Sequence, residues 1–179
     1  MMEEQSISEE VSSEGQVSVK IFSVEDLRKQ VPHWDRLTKS EKLVYLDTLN
    51  VPEDINKNTT TDLLNESIVD MLNPGDSSSF ETTHLALGTN GSGGTSASDT
   101  GLNTEVERVS VTSVEDNGSN MVVRTFVDST EGNGNTLDEV GLFTAESGGR
   151  LLNHSTISSV VKDNTKTMIV DATLTFSVV

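Results

Sequence analysis

Residues Asn135–Ser155 read NTLDEVGLFTAESGGRLLNHS, and the reading of this stretch decides the fold class. Val140 and Leu142 stand two apart in a short apolar run, SGG supplies a turn at residues 147–149, and a second apolar run starts beyond it. Two such runs about one Gly-rich turn form a β-hairpin. Period two places Val140 and Leu142 on a core face and Phe143 on the opposite face, where a neighbouring subunit is expected to cover it. Gly141 between them marks a bulge or a close approach of another backbone.

From Phe80 onward the same period recurs, with Gly, Asn and Ser as punctuation. FETTHLALG, ERVSVTSV, NMVVRTFVD, DEVGLFT, RLLNHSTISS and TKTMIVDATLTFSV are the expected strands. In the last of these, Met168, Val170, Ala172, Leu174, Phe176 and Val178 alternate with mostly polar residues, which is the pattern of a strand with one face in a core. GTNGSGGTSASDTG, residues 88–101, is expected as an exposed loop.

The N-terminal half carries different signals. Residues 1–18 hold five uncompensated glutamates and are expected as a flexible acidic arm. Residues 19–75 form a helical segment: Thr38 and Glu41 make a capping-box pattern ahead of KLVYLDTL, TDLLNESIVDMLN places Leu64, Ile68, Met71 and Leu72 on one helix face, and VEDLRKQ suggests a further turn or two. The expected fold class is therefore α+β, with short N-terminal helices followed by an antiparallel β-sandwich or small barrel over residues 80–179.

Composition narrows the function. Only 33% of the 179 residues are hydrophobic and 4% aromatic, so part of the chain is expected to pack on a partner. The net charge of −17 is spread over both halves, with no basic stripe to engage a phosphate backbone, so no direct nucleic-acid binding is expected. Uniform acidity on a Ser/Thr-rich chain is the pattern of salt-adapted proteins, and many mesophilic proteins are acidic too. There is no cysteine, and no apolar run of about 18 residues that a membrane helix requires.

Motifs for chemistry are weak. The loop Asp128–Glu139 begins and ends with acids, but Gly132 and Asn133 fall at its fifth and sixth positions, where a calcium loop of the EF-hand type needs an oxygen donor and then glycine. His33, His84 and His154 are far apart in sequence and match no zinc spacing. No phosphate loop or nucleophile elbow is present. No cofactor, metal or catalytic residue is expected.

Three stretches, LALGTN at 85–90, GLNTEVERVSV at 101–111 and TLDEVGLFTAESGGRLLNHS at 136–155, together resemble the head domain of phage tail-collar fibre proteins, in which a Leu-Gly strand, a segment of the form ALxNEVxR, and REVGLFD followed by GxLLA recur. Asp138 stands where that family often has Arg. The resemblance implies a non-enzymatic virion protein of tail, baseplate or neck, assembled in the host cytoplasm and attached to other virion proteins as a trimer or symmetric ring. A halophilic host is consistent with the acidity. Trp34, Leu64, Ile68, Leu72 and Phe143 are the expected partner-binding residues. The competing expectations are a capsid decoration or vertex protein and, from another class, a glycan-binding adsorption module.

Overall fold

The computed structural model describes residues 11–72 and 81–178. Among the described residues, nine strands form one antiparallel sheet: β1 (Val11–Ser23), β2 (Asp54–Thr60), β3 (His84–Gly88), β4 (Glu105–Ser110), β5 (Ser113–Asp116), β6 (Asn120–Val127), β7 (Asn135–Phe143), β8 (Leu151–Lys162) and β9 (Lys166–Val178). Their order across the sheet is β4-β3-β7-β8-β2-β1-β9-β6-β5. β4 and β5 lie at opposite edges yet are consecutive in the chain. Val111 donates its N–H to Thr83 beside β3, and Thr112 donates to Arg124 of β6, so this short crossing draws the two edges toward each other. The sheet curls into a half-barrel. Its interior is a core drawn from β1, β3, β4, β6, β7, β8 and β9, with Val17, Leu87, Val109, Val123, Leu142, Leu152 and Val170 among the buried side chains.

This architecture corrects the expected α+β class of N-terminal helices ahead of a separate sandwich. Residues 11–18, expected in the acidic arm, are the first part of β1, which pairs with β9 over its whole length and with β2 on its other side. Residues 1–10 lie outside the described residues. β1 and β2 thus sit in the middle of the sheet, between β8 and β9, although they come from the N-terminal half. The physical reason differs for the two strands. In β1, Val17 and Val19 alternate into the core, a period-two signal masked by the glutamate-rich run before it. β2, sequence DINKNTT, has one apolar residue, Ile55, and it is exposed. Nothing in its own pattern marks a strand; hydrogen bonding to β1 and β8 makes it one.

The helices are short and belong to the same body. α1 (Val24–Gln30) is capped by Ser23, whose hydroxyl accepts from the Asp26 N–H, and α2 (Lys39–Leu46) carries the full capping box between Thr38 and Glu41. Leu27 of α1, Trp34 of the intervening 3-10 turn, and Leu43 and Leu46 of α2 form a second core with Phe22, Phe126 and Ile169, which project from the outer face of β1, β6 and β9. Sheet residues one position apart therefore serve two cores: Met168 and Val170 point inward, while Ile169 points to the helices. α3 (Asp62–Leu72) lays Leu64 and Ile68 against the interior core. Among the described residues, no helix is long and apolar enough to cross a membrane.

In the hairpin Asn135–Ser155, β7 and β8 pair and turn through Gly148 and Gly149, both at positive φ. Gly141 is a close-approach position. A Cβ there meets Leu151 Cδ1 at 2.7 Å and the Asn153 carbonyl at 2.9 Å, and register shifts fall on either side of it.

Candidate functional site: a carboxylate that gathers three segments

Glu139 lies in the apolar run of β7 and is 0% exposed. An ionised carboxylate in such a place needs donors on every side. Its Oε1 accepts the Thr104 N–H at 2.7 Å and the Asn90 N–H at 3.3 Å. Its Oε2 accepts the Asn103 N–H at 3.0 Å, the Asn103 side-chain amide at 3.1 Å and His154 Nε2 at 2.9 Å. Burial alone raises the pKa of this carboxyl and is the largest single influence on it. The backbone donors, led by Thr104, together with His154 outweigh burial and leave it below the ordinary glutamate value. The group is held as an anion.

His154 of β8 is also 0% exposed, and its other ring nitrogen, Nδ1, lies 2.7 Å from Asp99 Oδ2. Carboxylates accept and do not donate, so the ring satisfies both neighbours when both nitrogens carry protons. The result is an Asp99–His154–Glu139 row, buried at His154 and Glu139 and partly exposed at Asp99. Gly88, paired with Glu139 in the β3–β7 register, is required beneath it, because a Cβ at residue 88 meets Glu139 Cγ at 2.5 Å and the Thr104 carbonyl at 2.8 Å.

These contacts order the segment expected as an exposed loop. Most of its side chains are exposed, but its backbone is anchored: Asn90 to Glu139, Gly91 to Asp138 Oδ1 at 2.7 Å, and the Ala97 carbonyl to the Asp62 N–H at the start of α3 at 2.7 Å. Asn103 closes the segment on itself, donating from its amide to the carbonyls of Asn90 and Gly94.

The side chains expected to bind partners are found elsewhere, and the structure does not bring them together. Trp34, 2% exposed, packs edge-on against Tyr45 and Phe126 with the Lys42 ammonium 5.4 Å from its ring. Leu64, 1% exposed, and Ile68 lie on the interior core. Phe143 is covered by its own chain: the Arg108 guanidinium sits 3.5 Å from the ring centroid while bonding to Glu105 and to the carbonyls of Ala145 and Gly148. The side chain of Leu72 lies outside the described residues. In the loop weighed for calcium, Asp128 is paired with Lys42 and Glu131 with Lys39, tying the loop to α2.

Glu139 escaped the reading of the sequence as a site. The available signal was an acid inside the apolar run DEVGLF, with a histidine in the partner strand of the same hairpin. Such a pair announces a buried ion network without saying which loop it holds. No protein-family model, curated protein or solved structure matches the chain.

Proposed function

We propose that this chain is a non-enzymatic structural protein of a tailed virus particle, of the collar-fibre head type, attached to other virion proteins in the tail, baseplate or neck as a symmetric homo-oligomer. The observation that carries the reading is the convergence on Glu139. Each of the three stretches that resemble the collar-fibre head supplies a group to this one carboxylate: Asn90 from the first, Asn103 and Thr104 from the second, and His154, with Glu139 itself, from the third. A set of local similarities that meets at one buried ion acts as a unit, and its spacing is explained by the geometry it maintains. Asp138, the departure from the family pattern, joins the same unit by taking the Gly91 N–H.

The test is to purify particles from lysed cells that carry the gene and to probe them with an antibody against this chain. Co-sedimentation at fixed stoichiometry, with label on the tail or neck, is the expected result. Label over the capsid surface transfers the protein to the decoration class, and absence from the particle overturns the proposal.

A second reading has one observation in its favour. Gln16, Lys57, Thr173 and Thr175 line an open groove of about 500 Å³ across β1, β2 and β9, with Ile55 as its apolar wall. Amide and hydroxyl groups beside one apolar patch suit a sugar. A glycan array distinguishes this reading: saturable binding lost in Gln16→Ala supports an adsorption module, and a blank array removes it.

A further inference from the structure

Lys162 ends β8 and is 0% exposed, an unusual position for a lysine that makes no ion pair within 4 Å among the described residues. Its stem lies over Gly132, and its Nζ donates to Asn133 Oδ1 at 2.9 Å and to the Asp163 carbonyl at 3.2 Å. The amine is thus aimed at a carboxamide. Glu107 reaches the same place from β4, where its Oε2 accepts the N–H of Gly132, the residue before Asn133, at 2.6 Å. The Asn133 amide nitrogen is on the exposed side of the loop and donates to the Ser129 carbonyl at 2.7 Å. A buried amine, a carboxamide hydrogen-bonded to it, a carboxylate held on the adjoining Gly132 N–H and an exposed side for the leaving group are the components of an amide-exchange reaction.

We propose that Lys162 and Asn133 form an intramolecular isopeptide bond, with Glu107 carrying the proton. The Lys162 Nζ lone pair attacks Asn133 Cγ, and Glu107, which makes no ion pair with Nζ, takes a proton from the attacking nitrogen through a bridging water and delivers it by the same route to Asn133 Nδ2. The Cγ–Nδ2 bond then breaks, and ammonia leaves to solvent. An amide is lost and an amide is formed, so no oxidant, reductant or co-reactant is required. Burial lowers the basicity of Lys162 and favours the neutral amine that the attack needs, against the opposing pull of Asp163, Glu131, Asp128 and Glu107. The bond locks the loop Asp128–Gly134 to the end of β8. That loop also holds α2 through Lys39 and Lys42, so one covalent link secures the junction of sheet, loop and helix.

Intact-mass spectrometry of the full chain tests this directly. The expected mass is that of the sequence less one ammonia, and a protease digest yields a branched peptide joining residue 133 to residue 162. A succinimide at Asn133–Gly134 also loses ammonia, but it gives no branched peptide; the Gly134 N–H it would use is donated to the Lys162 carbonyl at 3.0 Å. Lys162→Arg and Glu107→Gln are both expected to return to the mass of their own sequences. A wild-type chain at full sequence mass, a chain one mass unit heavier from simple deamidation, or an ammonia loss that persists in Lys162→Arg overturns the proposal. The branched peptide is read on the wild-type protein, so it decides the matter even where a variant fails to fold.

Discussion

At the scale of single residues, the structure concentrates its demands on a few positions, and Glu139 is the foremost. Glu139→Gln keeps the size of the side chain but turns one oxygen into a donor that faces the donors of Thr104, Asn103 or His154. It should cost roughly 2–3 kcal/mol, read as a lower midpoint in urea unfolding. The pH dependence follows from the direction of its pKa. A carboxyl held below its unfolded value contributes stability that is fully present above the unfolded glutamate range and is lost as pH falls through the folded value. Wild type should therefore lose stability in acid more steeply than Glu139→Gln, as measured by melting temperature between neutral and acid pH; parallel profiles would refute this role. Gly141→Ala places a Cβ against Leu151 and the Asn153 carbonyl, and a loss of about 1–3 kcal/mol is expected from overpacking. Gly141 was legible in the sequence because a glycine inside a strand has few explanations. The role of Glu139 was not, since its backbone donors are 35, 36 and 49 residues away.

At the scale of elements, the helices and the central strands are the point of interest. α1, the Trp34 turn and α2 present apolar side chains, and the outer face of β1, β6 and β9 covers them. Trp34→Ala should cost about 3–5 kcal/mol and lower the melting temperature of the whole protein, because this core is shared with the sheet. If the change melted only helical signal and left the β signal at its original midpoint, the helices would be an independent unit. The hairpin β7–β8, the alternation of β9 and the capping box of α2 were readable because each is written in residues a few positions apart. β2 was unreadable for the opposite reason. Its polar sequence has no periodic apolar face, and it is a strand because β1 and β8 present unpaired backbone groups on either side of it.

At the scale of the whole molecule, chain order and sheet order disagree, and that has a consequence for truncation. A fragment of residues 81–179 lacks β1 and β2, so β8 and β9 lose their shared neighbours and the core loses Val17 and Val19. It should give no cooperative melt by circular dichroism at either low or high salt; a sharp β-sheet transition would show that the C-terminal strands suffice. Charge acts at the same scale. At least eight of the twelve Lys and Arg side chains are engaged in ion pairs, including Arg124, which bridges Asp47 after α2 and Asp171 of β9. The remaining acids repel one another over a range of about 10 Å at 0.1 M salt and about 3 Å at 1 M. The melting temperature should rise across that interval, and an unchanged value would remove the basis for a salt-adapted origin.

By itself the sequence determined that residues 80–179 are rich in antiparallel β-structure and that the chain is acidic throughout and punctuated at its glycines. These properties follow from side-chain alternation, charge and backbone freedom, all of which act within a few residues. Tertiary structure alone decided which strands are neighbours beyond the β7–β8 hairpin, that the N-terminal segment completes the middle of the sheet, and that one glutamate ties two distant stretches to that hairpin. The reason is physical. A periodic pattern states which face of a strand is apolar, but a backbone N–H or a buried carboxylate takes whichever partner the closed fold brings within hydrogen-bonding distance.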